Sequence, residues 1–477
     1  MNLKQTTQKN VKWSFIESIS LKLVSFVLSI ILARLLMPSD FGILAIVNVF
    51  YLMTSIFIDG GLKDAVIQKQ NADEKDFSTM FWLNLGMASL LYVILFVAAP
   101  SIQQFYQIEN LSFYIRIQSV TLIIESFGLI QIVKANRELN LKKITTSRIP
   151  ASIISFLIGI YLAYQGFGIM ALIIQQLVSV SLYNFLLIYT IRYKPKWIFS
   201  TSSVKSLYGF GVKVFVFSYI SRMYVQSVNL LYAYFFNTRE LGLFSKSKSL
   251  QGVPIEIIDS TFTKALYPTF VKVQHQNRML RKIFMFNITR LFYVMVIINT
   301  FLYFNSHEII AFLLGEKWLE MKTFLQIAAI GSLFAPINSQ IINIFKAKGM
   351  PGVLLKYELF WKIAAVLIII VMASISFSFS AILWVIVGLN SFMGLLYIFL
   401  TSKQLEFSFF KLAKQMALML VFFVASGLLC KIVINMVFAE VPDVVKIIIY
   451  TTLYFIFVLI YGLKFKDFNV FNLIRLR

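Results

Sequence analysis

Stretches of about 18 or more almost unbroken apolar residues recur along the whole length of this chain. Each is about as long as a helix must be to cross roughly 30 Å of hydrocarbon at 1.5 Å per residue. About fourteen such spans are predicted. The first six lie near residues 12–36, 42–58, 79–99, 112–133, 149–165 and 168–191. Six more lie near 209–235, 243–266, 284–304, 322–345, 359–378 and 381–402, and a final pair near 415–437 and 444–463. Composition agrees: 59% of residues are hydrophobic, and the mean hydropathy is +0.80, more apolar surface than a soluble domain can hide. The expected fold is an all-α integral membrane protein, and an even number of spans places both termini on one face.

The formal charge of +23 would suggest nucleic acid in a soluble protein. Here the Lys and Arg residues fall mainly in short segments between apolar runs, such as 134–148, 192–197 and 272–282, so no nucleic-acid partner is expected. Segments assigned to the inside hold roughly 30 Lys and Arg and those outside about five, which orients both termini toward the cytoplasm. The polar, basic start "MNLKQTTQKNVKW" precedes a run too long for a signal-peptide core and reads as an uncleaved first helix. The turns "YQGFG" (164–168) and "SFSFS" (376–380) are outer and uncharged.

Several classes are excluded by what the motifs lack. Cys430 is the single cysteine, and His275 and His307 are far apart, so neither a disulfide nor a sequence-local metal site is expected. There is no phosphate-binding glycine loop, potassium-channel filter or voltage-sensor arginine ladder. No extramembrane stretch exceeds about 20 residues, too little for a soluble catalytic domain. The chain is expected not to be an enzyme but a secondary transporter or lipid translocator.

An internal repeat sharpens that class. "ARLLMPSDFG" (33–42) and "AYFFNTRELG" (233–242) are written at an offset of 200, with Asp40 facing Glu240 and Gly42 facing Gly242. Without a gap the same offset pairs Asp59 with Asp259, Ala65 with Ala265 and Lys22 with Arg222. Pro38 is expected to stop the first helix, and Ser39 or Asp40 to cap the second. Repeats of this kind let transporters build a site between two bundles. The expected organisation is an N-lobe at 1–200, a C-lobe at 201–402, and a C-terminal helix pair at 403–477.

Six stretches, "LARLLMPSDFGILA" (32–45), "DGGLKDAVIQ" (59–68), "FWLNLG" (81–86), "ANRELNLKK" (135–143), "GFGIMALIIQQL" (166–177) and "ELGLFSKSKSL" (240–250), together resemble the polysaccharide flippases. These are the Wzx-type exporters of lipopolysaccharide, capsule, exopolysaccharide and teichuronic-acid repeat units, within the multidrug/oligosaccharidyl-lipid/polysaccharide exporter superfamily. The resemblance is to the WzxC-like branch and spans residues 12–350. It implies two pseudo-symmetric six-helix lobes around a central cleft that opens alternately to each side of the bacterial cytoplasmic membrane. The implied cargo is an oligosaccharide joined by pyrophosphate to undecaprenol, with membrane lipids and a polysaccharide polymerase or export machinery as partners.

Such cargo carries anionic groups that must leave water. A charge at the bilayer centre costs on the order of 3 kcal/mol. A fixed cation about 4 Å away offsets a few kcal/mol at an effective dielectric near 20. Lys22 and Arg222, at matched depth in the two halves, are the first anion-site candidates; Lys246, Lys248 and Arg290 follow. Pairing with a carboxylate or reaching toward headgroups is the bland alternative for each. Lys246 and Lys248 lie about 200° apart on a helix, so both cannot face the cleft. Glu17, Glu125 and Glu256 are the candidates for coupling to protons or sodium ions; no other cofactor is expected. Asn48, Asn229 and Gln340 are candidate sugar contacts, and interhelical hydrogen bonding is the commoner use of such residues. Alternative functions are a multidrug or cation antiporter, disfavoured by the basic deep charges, and a peptidoglycan-precursor flippase.

Overall fold

A computed structural model describes residues 22–59, 61–69, 71–138, 140–438 and 440–464, so Glu17 lies outside the described residues. Secondary structure among the described residues is wholly helical. The chain divides into two compact units, one running to Gly242 and one starting at Leu243.

In the first unit, α1 (22–35) leads through a short break into α2 (Pro38–Asp59) and α3 (Leu62–Gln68). There follow α4 (Glu74–Tyr106), α5 (Leu111–Arg137), α6 (Leu141–Tyr164), α7 (Ile169–Ile191) and α8 (Thr201–Phe235), and the unit ends in the first residues of α9 (Thr238–Lys272). Helices α4 and α5 form one packed pair and α6 and α7 another, with α5 also against α7 and α2. Helix α8, expected to open the second lobe, packs on α2, α3 and α4. A small core of Leu62, Val66, Phe77, Met80, Ile130 and Val133 ties α3 to α4 and α5.

Polar residues fix the ends. Asp73 begins α4 with a capping box: the N–H groups of Lys75 and Asp76 donate to its carboxylate at 3.1 and 3.0 Å, and its own N–H donates to Asp76 Oδ2 at 3.2 Å. Arg137, at the end of α5, donates to the carbonyl oxygens of Val66 and Lys69, both at 2.6 Å, and so closes α3. The segment 192–200 joining α7 to α8 lies along the start of α4. Lys196 N–H donates to Ser78 Oγ and Ser200 N–H to Thr79 Oγ1, each at 3.0 Å. The indole of Trp82 donates to Lys196 O at 3.0 Å and stacks on Trp197 at 4.2 Å.

The repeated motif closes on itself inside the first unit. A Cβ on Gly42 would stand 1.8 Å from the Thr238 carbonyl oxygen, and one on Gly242 would stand 1.8 Å from the Pro38 carbonyl oxygen. The starts of α2 and α9 therefore touch reciprocally, backbone on backbone, and only glycine fits. The acids match as well. The Met37 N–H donates to Asp40 at 2.9 Å; at the second copy Glu240 accepts from the Asn237 amide at 3.0 Å while its N–H donates to Asn237 Oδ1 at 2.8 Å.

The second unit comprises the rest of α9, then α10 (Asn277–Phe304), α11 (Ser306–Leu313), a 3₁₀ turn (Glu316–Met321), α12 (Lys322–Gly331), α13 (Ala335–Ala347), α14 (Pro351–Ser374), α15 (Phe379–Leu405), α16 (Phe409–Val437) and α17 (Asp443–Lys464). Its core gathers Phe284, Phe292, Tyr293, Ile341, Phe423 and Tyr450 from α10, α13, α16 and α17. The expected C-terminal pair is thus part of this core through α16, which packs on α10. The span expected at 322–345 is two helices, broken at 332–334 ahead of Pro336. Ser332 Oγ, at the break, bonds Asn299 Oδ1 at 2.9 Å on α10.

Ten helical stretches among the described residues are long and apolar enough to cross a membrane. They coincide with ten of the fourteen expected spans. The other four expected spans fall on α1, α8, α9 and α14, helical in their described residues but not among the ten. In α9 the reason is charge: Lys246, Lys248, Glu256, Asp259 and Lys264 are distributed along it.

Candidate functional site

The first unit contains a cavity of about 790 Å³ lined by α1, α2, α5, α6 and α7. Its charged residues, among the described residues, are Lys22, Glu125 and Arg148. Glu125 stands midway along α5, 14 residues or about 21 Å from its start. Arg148 stands about 10 Å into α6. Charges at this depth are costly on a lipid face and are expected to face a cavity instead; these residues line one.

Each side chain is positioned by its helix. Arg148, Ser152 and Phe156 recur every four residues and share one face of α6; Glu125, Leu129 and Ile132, spaced by four and then three, share one face of α5. The Arg148 guanidinium lies 5.5 Å from the ring centre of Tyr183 on α7, another lining residue. Tyr51 of α2 donates its hydroxyl to Glu125 in a short hydrogen bond that joins α2 to α5. A Cβ on Gly128 would fall 1.4 Å from Asn184 Oδ1, so the bare α5 backbone is what lets the Asn184 side chain lie there. The Asn184 amide donates to Val180 O at 2.8 Å. Ser25, Ser55, Ser152 and Ser179 add hydroxyls to the wall. The result is a chamber with two cations, one carboxylate and a polar lining, able to hold an anion together with hydroxyl-bearing groups.

Two residues predicted for different purposes therefore meet: Lys22, an anion-site candidate, and Glu125, a coupling candidate. Arg222 is exposed on α8 and is not among the residues lining this cavity. Asn48 and Asn229 are half-buried on α2 and α8 and do not line it either.

The remaining candidates belong to the second unit. On α9 Lys246 is buried, whereas Lys248 is exposed with its ammonium 5.2 Å from the ring centre of Phe244. The two-residue spacing separates their faces as expected. Glu256, on the same helix, is exposed. Arg290 stacks on Phe286 one turn earlier, 3.5 Å from the ring centre. Gln340 donates to Thr263 Oγ1 at 2.9 Å, linking α13 to α9, which is the interhelical role weighed for it.

Arg148 escaped sequence reasoning because it closes the run "KANRELNLKKITTSR", which reads as an inner loop. Helix α6 starts at Leu141, inside that run. The four-residue recurrence Arg148–Ser152–Phe156 is the signal that separates it from its lysine-rich neighbours.

Comparison with known proteins places this geometry in context. A family described as polysaccharide biosynthesis protein matches residues 31–323. The chain is 23% identical over 371 residues to the teichuronic acid biosynthesis protein TuaB of Bacillus subtilis (strain 168), covering 75% of this chain and 76% of that protein. It is 24% identical over 366 residues to the lipopolysaccharide biosynthesis protein WzxC of Escherichia coli (strain K12), covering 76% and 74%. Among solved structures, a lipid II flippase MurJ in an inward closed conformation superposes with a TM-score of 0.73 at 14% identity, over 95% of this chain and 99% of that one.

Proposed function

Because the chain belongs to this family of polysaccharide biosynthesis proteins and is a multi-pass membrane protein, we propose that it exports a lipid-linked oligosaccharide repeat unit across the bacterial cytoplasmic membrane. The observation that carries the proposal is the 790 Å³ cavity with Lys22, Arg148 and Glu125 among its lining.

The pyrophosphate of a polyprenyl-linked sugar is the group that most resists crossing hydrocarbon, since its charges lose their water. Lys22 supplies a compact ammonium and Arg148 a planar fork of donors suited to phosphate oxygens. Serine hydroxyls and the Asn184 amide take sugar hydroxyls, while the polyprenyl tail stays in the bilayer. Glu125 keeps the pair of cations from holding the anion too tightly, and the cavity opens alternately to the two sides. Glu125 is also where a proton or sodium ion would couple. Flipping a peptidoglycan precursor would make the same demand on the site. The match to proteins named for teichuronic acid and lipopolysaccharide favours the repeat unit.

The test is Lys22→Ala with Arg148→Ala in the producing cell, followed by surface polysaccharide and by the lipid-linked intermediate retained inside. Loss of surface polymer with accumulation of the intermediate is expected, at unchanged protein level. Normal export by the inserted double variant overturns the proposal.

A further inference from the structure

A second recess, lined by basic and apolar side chains and of about 450 Å³, lies in the other unit between the starts of α10 and α16. Arg278, Arg281 and Lys282 from α10 and Lys411 from α16 line it. Residues 278, 281 and 282 lie at i, i+3 and i+4 and so share one face of α10. The two helices pack against each other, so the cations stand on packed helices rather than on loops.

Three observations set this recess apart from an ordinary basic surface. First, cations occupy the opening turns of two helices, where the partial positive charge of the helix end favours anions. Neither helix has an acidic residue in its first turn. Second, among the described residues none of the four cations forms an ion pair. Arg281 alone has a protein acceptor, the Glu406 carbonyl oxygen at 2.6 Å, which ties the turn between α15 and α16 to α10. Third, the recess is part apolar. Met285, Phe407 and Leu412 line it beside the cations, and Phe410, in the first turn of α16, is 81% exposed. Helices α10 and α16 are both membrane-spanning by length and composition. Their first turns therefore stand at headgroup level, where an exposed phenylalanine meets acyl chains rather than water.

We propose that this recess binds the phosphate headgroup of an anionic phospholipid of the surrounding bilayer, with Arg278, Lys282 and Lys411 as its ligands. A phosphodiester brings the negative charge that the recess lacks and can accept hydrogen bonds from three directions, while its acyl chains run down past Phe410. Basic recesses between membrane helices at headgroup level hold anionic lipids by this arrangement of forces. Sodium or proton binding is excluded by the sign of the charge. The oligosaccharide cargo is served by the cavity of the first unit, so this lipid is a bound companion and is not carried across.

The experiment uses the full chain, purified from nanodiscs of equimolar phosphatidylglycerol and phosphatidylcholine, with retained lipid read by native mass spectrometry. The wild-type protein retains phosphatidylglycerol in preference to phosphatidylcholine. Arg278→Ala/Lys282→Ala/Lys411→Ala loses that preference on the order of a hundredfold, leaving Arg281 to hold the turn. Arg278→Lys/Lys282→Arg/Lys411→Arg, which keeps every charge, retains it and shows that the loss is not unfolding. Undiminished preference in the alanine variant overturns the proposal, as does equal retention of both lipids by the wild type. Loss of preference in the charge-retaining variant while it remains monodisperse overturns it too. Displacement of phosphatidylglycerol by undecaprenyl phosphate assigns the recess to the cargo and also overturns it. Export of polysaccharide by the alanine variant, measured separately, leaves the proposed function standing in every case.

Discussion

The cavity of the first unit and the recess of the second are both built from Lys and Arg, yet they differ in one component. Glu125 shares the cavity with Lys22 and Arg148, whereas among the described residues no carboxylate lines the recess around Arg278, Lys282 and Lys411. A site of mixed sign binds an anion with less surplus and gives it up more readily, because the carboxylate takes over as the anion leaves. A site of single sign keeps what it binds. Depth differs in the same sense: Glu125 stands mid-span, and the recess stands at helix ends. The difference teaches that two basic sites of one molecule are told apart by whether a carboxylate stands among the cations.

The largest effect that tests this contrast is the joint loss of Lys22 and Arg148. With each cation contributing a few kcal/mol, export is expected to fall at least about a hundredfold. Next comes Glu125→Gln, which makes the cavity resemble the recess. Cargo should then co-purify with the protein while the export rate drops about tenfold, a split between binding and release that a merely unfolded variant would not show. The reverse exchange, Gln415→Glu, puts a carboxylate into the recess. Preference for phosphatidylglycerol should weaken by roughly fivefold, read by the same lipid-retention measurement. Gly128→Ala pushes a methyl into Asn184 Oδ1 and is expected to cost about 1–3 kcal/mol of stability, seen as a lower unfolding temperature of the purified protein. The smallest change is Tyr51→Phe, which removes one donor to Glu125. It should lower export only severalfold, by about 1 kcal/mol.

The ten apolar helices were legible because hydropathy over about 18 residues is a property of sequence alone. The 200-residue offset was legible too, and it pairs Gly42 and Gly242, which touch in the structure. The offset said nothing of which side chains share a cavity. Lys22 and Arg222 match in register, but a repeat fixes equivalent positions, and equivalent positions need not face one another. Lys22 shares its cavity with Glu125 and Arg148, a juxtaposition set by the packing of α5 and α6 on α7 and of α1, through Leu32, on α6 and α7. Arg148 was hidden by the basic run before it, since charge density marks loops and helix starts alike. The break in the span at 322–345 was hidden because Ser332, Leu333 and Phe334 do not interrupt the hydropathy, although Pro336 follows them.

The segment 192–200 carries a mechanical consequence. Extended, it would provide about 30 Å of slack between α7 and α8. It has almost none to pay out, because Ser78, Thr79 and Trp82 hold it at Lys196, Trp197 and Ser200. The joint between α7 and α8 behaves as a weld onto α4 rather than as a rope. Any displacement along α8 must then be taken up within its own 35 residues and against its packing on α2, α3 and α4, because the connecting segment has no length to give.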